Sequence, residues 1–336
     1  MTSRNREIAN FLSLVGWGAA ERVALAGDAS NRRYERLSSR DGQRAVLMDA
    51  PADKEEDVRP FVALANHLRS VGLSAPEILA QDTEHGFLLL EDLGDDLFAR
   101  LMTADPSKQE PLYSAAIDVL LALRGSETPD LPAYDTAEMT ELAALAFEKY
   151  LPATGNADHD VATAFRAAFP DILANHVTGP SVLVHRDFHA ENLIWLPERE
   201  GAACVGLLDF QDAMTGHPAY DLVSLLQDAR RDVPPEIQHG MIAQYLDRTG
   251  DDADRFLAAY AVLGVQRNLR ILGVFARLCS DYGKPHYVEF VPRVWGYLMT
   301  GLTHPALAPI ASLLRDTFPE PDTETLDRIR ATCPTR

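Results

Sequence analysis

The chain has 336 residues, 46% hydrophobic and 24% charged, the proportions of a folded globule rather than a disordered tract. Its 31 basic against 50 acidic side chains leave a formal charge of −19, so general binding to nucleic acid or anionic lipid is disfavoured unless a local basic patch overrides it. Cys204, Cys279 and Cys333 are far apart and form no CxxC pair, which predicts a cytoplasmic protein without a disulfide framework or structural zinc.

In chain order, Ile8, Phe11, Leu12 and Val15 fall at helical spacing and predict an amphipathic opening helix. It is not read as a leader, because Glu7 precedes it, Ser13 and Gly18 interrupt it, and no cleavage pattern follows. No window approaches the ~18 apolar residues of a membrane span. Short runs at 23–26, 34–37 and 45–48, bounded by Gly27-Asp28 and Asp41-Gly42, predict antiparallel strands. Phe61, Leu64, Ala65 and Leu68 mark one face of a helix ending near Gly72, and strands follow at 78–80 and 87–90. Helical spacing then dominates from Leu97 to His176. A second strand cluster lies at 182–184, 193–195 and 205–208, and everything after Tyr220 is again helical. The expectation is an α+β fold: a small β-rich lobe over residues 1–93, then a larger α-helical lobe over 94–336. Its chemistry is expected where the second lobe's strand insert meets the first, since clefts between lobes hold ligands.

That insert carries the most informative stretch, Val182-Leu183-Val184-His185-Arg186-Asp187-Phe188-His189-Ala190-Glu191-Asn192, followed by an apolar run and then Leu207-Leu208-Asp209-Phe210. A buried strand delivers Asp187 into a loop, the next strand starts at Asn192, and its antiparallel partner returns to place Asp209 beside them. Oxygen donors so arranged suit magnesium, which binds through one or two protein oxygens plus phosphate and water. Asn192 and Asp209 are the expected ligands. Asp187 is the expected base, taking the proton of an attacking hydroxyl during phosphoryl transfer. The plainer alternative is two turn residues and a helix cap. A zinc reading of His185 and His189 fails, because the loop is not helical and Arg186 stands where a metalloprotease has glutamate. His185 is expected to brace the catalytic loop.

These motifs resemble the aminoglycoside phosphotransferase and choline kinase family, whose fold is that of the protein kinases. The resemblance extends to a subgroup, the bacterial anomeric kinases of N-acetylmuramate and N-acetylglucosamine. It is carried by Gly27-Asp28-Ala29-Ser30-Asn31-Arg32-Arg33-Tyr34, Met48-Asp49-Ala50-Pro51, Asp209-Phe210-Gln211-Asp212-Ala213 and Gln266-Arg267 through Leu278. It implies a two-lobe kinase-like fold, ATP and Mg²⁺ as cofactors, and a third carboxylate, Asp221, bracing the catalytic loop; the other reading of Asp221 is a helix N-cap. It also implies an adenine-binding hinge at Glu91, Asp92 and Leu93. Ser30, Asn31, Arg32 and Arg33 lie in a loop suited to covering phosphates, through a hydroxyl, backbone amides and charge. One departure stands out. The family carries lysine on the third strand, where this chain has Met48, so the phosphate-binding charge is expected from Arg32, Arg33 or Lys54.

On the acceptor side, Arg267, Arg270 and Arg277 share one sector of a helix, either as an anion attractor or as partners of surface acids. Asp212 is a further candidate for a sugar hydroxyl. The leading expectation is a kinase acting on the anomeric hydroxyl of an amino sugar. The alternatives are a kinase for an aminoglycoside, choline or homoserine, and a nucleotide-binding regulator without turnover.

Overall fold

The computed structural model describes residues 3–25, 32–51 and 57–334, so Ser30, Asn31 and Lys54 lie outside the described residues. The N-terminal elements are α1 (Ser3–Leu14), β1 (Glu21–Ala24), β2 (Arg33–Ser38), β3 (Arg44–Asp49), α2 (Arg59–Ser70), β4 (Ile78–Asp82) and β5 (Phe87–Glu91). Then come α3 (Phe98–Ala104), α4 (Gln109–Gly125), α5 (Thr136–Leu145), α6 (Leu151–Ala153) and α7 (His159–His176). The strand insert comprises β6 (Val182–Val184), β7 (Leu193–Trp195), β8 (Val205–Leu207) and β9 (Met214–Gly216). The C-terminal helices are α8 (Ala219–Leu226), α9 (Pro235–Thr249), α10 (Ala253–Ser280), α11 (Val291–Gly301), α12 (Ala308–Thr317) and α13 (Thr323–Ala331). Two compact units result: residues 1–122 with 191–212, and residues 123–190 with 213–336. Among the described residues, no helix is long and apolar enough to cross a membrane.

In the first unit an antiparallel sheet runs in the order β1-β2-β3-β5-β4. Side chains alternate across it, so each strand serves two faces. Leu37, Ala45, Leu47, Phe87 and Leu89 form a core with Ile8, Phe11 and Leu12 of α1, the helix face that the apolar spacing predicts. Tyr34, Met48 and Leu88 stand in register on the opposite face. The first strand lies two residues earlier than its sequence signal. All four of its residues are exposed on a sheet edge, so no apolar alternation marks its ends and pairing with β2 sets them.

The second unit is built around α10, 28 residues long, whose N-cap Asp252 accepts a hydrogen bond from the Arg255 amide at 2.9 Å. It packs against α5, α8 and α11. Gly273 marks the tightest crossing: a Cβ there would lie 2.5 Å from the Leu145 carbonyl carbon. The insert divides between units. β6 pairs with β9, whose Met214-Thr215-Gly216 forms no apolar run in the sequence, whereas β7 pairs with β8. The expectation of no disulfide is corrected. Cys279, near the end of α10, and Cys333, just beyond α13, are bonded with Cα atoms 4.9 Å apart. A sequence separation of 54 concealed a proximity that arises only when α13 packs against α10.

Candidate active site

In the second unit, β6 leads into the His185-Arg186-Asp187 loop. Arg186 adopts φ 75°, a left-handed conformation that costs a non-glycine residue on the order of 1 kcal/mol or more and needs compensating contacts. Asp221 supplies them. Its two carboxylate oxygens accept the backbone N–H of His185 at 2.6 Å and of Arg186 at 2.9 Å. It lies inside the first turn of α8, and Pro218 holds the N-cap position, so this carboxylate braces the loop rather than capping the helix. Burial pushes the Asp221 carboxyl up to about 6, against the opposing pull of His185 and the two amides. Ser224, one turn further along α8, donates its hydroxyl to the Arg186 carbonyl at 3.4 Å. His185 is buried with its ring edge-on to Phe188. His189 is buried too, which pulls its pKa down to about 4 and keeps it neutral at pH 7.

Asp187 follows at once. Burial alone would raise its carboxyl, but Arg270, His189, Arg267 and His185 outweigh that and hold it at about 2. This carboxylate is therefore ionised throughout the physiological range. Arg267 and Arg270, one turn apart on α10, both reach Asp187 electrostatically, and neither hydrogen-bonds a carboxylate among the described residues. Arg267 Nη2 donates to Ser224 Oγ at 2.9 Å, and Arg270 Nη1 donates to the Tyr220 hydroxyl at 3.2 Å. Tyr220 in turn meets Tyr134, which accepts from Gln266 Nε2 at 3.2 Å. The Arg186 guanidinium lies 5.4 Å from the Tyr134 ring centre. Tyr134 and Ser224 were missed by sequence reasoning, because neither sits in a motif and their partners are distant in the chain.

In the first unit the β7–β8 hairpin brings Asn192 and Asp209 together. Leu193 pairs with Leu207, and the Leu208 amide donates to the Asn192 carbonyl at 3.0 Å, so Asp209 is the next residue along. Asp209 also adopts positive φ, 58°; among the described residues only Arg186 and Asp209 do so without being glycine. Gln211 Nε2 donates to Asp209 Oδ1 at 2.7 Å, and the buried Phe210 ring stacks on Phe61 of α2 at 4.7 Å, anchoring the turn. One amide and one carboxylate are hard oxygen donors, a set that fits a magnesium ion sharing its remaining positions with phosphate and water. Asp212 is exposed three residues on.

On the nucleotide side, Met48 is fully buried in β3 between Tyr34 and Leu88. Arg33 is exposed opposite Asp49 and alternates onto the Leu37 face; Arg32 is half-buried. Arg36, unnoticed in the sequence, shares the Met48 face and binds Asp92 and Asp95, each at 2.8 Å. Asp92 also accepts the Gly94 amide at 3.0 Å. The Glu91 carboxylate is bound by Arg199 and accepts the Glu77 amide. Both acids are thus committed to the protein itself. The main chain of Leu93 enters no hydrogen bond among the described residues.

A small antiparallel sheet with an amide–carboxylate hairpin, and a helical unit carrying a braced aspartate, define a kinase-like phosphotransferase. The chain belongs to the Phosphotransferase enzyme family, which it matches over residues 21–260. The N-acetylmuramate/N-acetylglucosamine kinase of Caulobacter vibrioides is 43% identical to it, over 91% of this chain and 95% of that one. Among solved structures, choline kinase from Streptococcus pneumoniae superposes with a TM-score of 0.63 at 14% identity, over 89% of this chain and 100% of that one. An ADP-bound aminoglycoside phosphotransferase gives 0.59 at 15% identity, over 88% of this chain and 97% of that one. The expected α+β kinase-like fold is thereby borne out.

Proposed function

We propose that this phosphotransferase is an ATP- and Mg²⁺-dependent cytoplasmic kinase for the anomeric hydroxyl of N-acetylmuramate or N-acetylglucosamine. Residues 1–93 hold the nucleotide and residues 94–336 supply the acceptor side. Asp187 accepts the proton of the attacking hydroxyl and orients its oxygen toward the γ-phosphoryl group. Asn192 and Asp209 hold the magnesium ion, which when bound neutralises charge on the transferring phosphoryl group. Leu93 offers its main chain to adenine, beside the occupied carboxylates of Glu91 and Asp92. With methionine at position 48, Arg32 takes over the phosphate contact: the alternation of β2, carried one residue back, directs it to the Met48 face and Arg33 away from it. Ser30 and Asn31 assist in binding the phosphates, and His185 keeps the catalytic loop in place. Arg270, partnered by Tyr220, receives the acceptor with Arg267 behind it, and Asp212 takes a sugar hydroxyl.

The observation that carries the substrate class is the pair of arginines beside Asp187. Two cations next to the base favour an acceptor bearing a carboxylate, as N-acetylmuramate does, and repel a cationic one such as choline or an aminoglycoside. The similar sugar kinase supports the same class. Purified protein with Mg-ATP and a panel of N-acetylmuramate, N-acetylglucosamine, choline, homoserine and kanamycin tests it. ADP release with the N-acetyl sugars alone is expected. Turnover of kanamycin or choline would replace this reading, and tight ATP binding with no turnover would leave a regulator.

A further inference from the structure

Arg267 is an expensive residue where it stands. It is 3% exposed in the middle of α10, and among the described residues its one hydrogen bond runs from Nη2 to a neutral hydroxyl. Nε and Nη1 are buried without a hydrogen-bond partner among the described residues. A buried guanidinium so poorly satisfied is destabilising relative to an apolar side chain of similar volume, so its retention asks for a role. Its contacts indicate one. The hydroxyl it binds, Ser224 Oγ, sits on the carbonyl of Arg186, the left-handed residue directly before Asp187. Its charge also reaches Asp187 itself.

We propose that Arg267 is a positioning residue for phosphoryl transfer, acting on the base through two routes: the Ser224 strut on the Arg186 carbonyl, and its charge facing the Asp187 carboxylate. The inference rests on Asp187 being the base. The two routes complement Asp221. That carboxylate holds the loop by its amides and would repel Asp187, whereas Arg267 holds the loop by a carbonyl and attracts it. Arg270 contributes the same attraction, but its hydrogen bond goes to Tyr220 and leaves the loop backbone untouched. Arg270 therefore belongs to the acceptor and Arg267 to the base.

Steady-state kinetics of Arg267→Met, Arg267→Lys and Ser224→Ala in the full chain separate these roles. Arg267→Met is expected to lower kcat by about 10²-fold, the cost of a loosely held reacting group, with KM for ATP and for the sugar within about threefold of wild type. Arg267→Lys restores the charge without the fork and should recover about tenfold of that loss. Ser224→Ala, which removes only a hydroxyl and keeps the core filled, should lower kcat with both KM values unmoved, and it carries the test if Arg267→Met fails to fold. A raised KM for N-acetylmuramate at unchanged kcat would make Arg267 an acceptor contact and overturn the proposal. So would wild-type kcat in Ser224→Ala together with either Arg267 variant. Asp187→Asn, assayed alongside, keeps the two claims apart: turnover surviving in it refutes the base assignment, whereas its loss with intact kcat in the Arg267 and Ser224 variants refutes the strut alone.

Discussion

Arg186 and Asp209 show how single residues prepare this chemistry. Each is a non-glycine residue at positive φ, each stands in a motif proposed to act on phosphate, and each is tied down locally: Arg186 by Asp221 and Ser224, Asp209 by Gln211. Strain compensated in this way fixes where a neighbouring side chain points, which a relaxed loop would leave to averaging. The substitution of methionine for lysine at position 48 is the other decisive residue. A buried thioether cannot bind phosphate, and in the proposed function Arg32 supplies that charge instead. Arg32→Ala should raise KM for ATP about tenfold or more, the worth of a lost charge-assisted hydrogen bond, and Arg33→Ala should leave it nearly unchanged. Equal, wild-type KM values in both variants would remove the loop arginine from the account.

At the scale of elements, the sequence was most legible where periodicity and chemistry coincide. The faces of α1 and α2, the central strands and the His185-to-Asn192 loop all follow from side chains contiguous in the chain or repeated at 2 or 3.6 residues. What stayed hidden depends on distant segments meeting. Ser224 reaches Arg186 across 38 residues and Arg36 reaches Asp92 across 56, and no local pattern marks either pairing. β9 was missed because Met214-Thr215-Gly216 forms no apolar run, unlike the equally short β6 and β7. Gly273 lies between these cases: it stands in a stretch of family resemblance, but its reason is visible only in the packing of α10 on the end of α5. A methyl group there would press on the Leu145 carbonyl carbon at 2.5 Å and the Ala146 nitrogen at 2.7 Å, both backbone atoms that cannot swing aside. Gly273→Ala should therefore lower stability in urea unfolding by about 1–3 kcal/mol or more. A wild-type midpoint would show that the crossing is loose.

For the whole molecule, the negative charge of −19 says little about the site, because two arginines, Arg267 and Arg270, act on Asp187. Net charge describes the surface, and the reaction depends on local exceptions to it. The Cys279–Cys333 bond is likewise a property of the folded chain, invisible to cysteine spacing. The proposed labour is divided between residues: Asp187 is the base, and Asn192 and Asp209 are the cation ligands. That division is the central claim. Measuring kcat and the affinity for Mg-ATP in Asp187→Ala and Asp209→Ala tests it directly. Both variants should lose turnover by about 10³-fold or more, with Asp187→Ala binding Mg-ATP nearly as wild type and Asp209→Ala binding it at least about tenfold more weakly. Matching losses of nucleotide affinity in the two variants, or turnover persisting without Asp187, would contradict it.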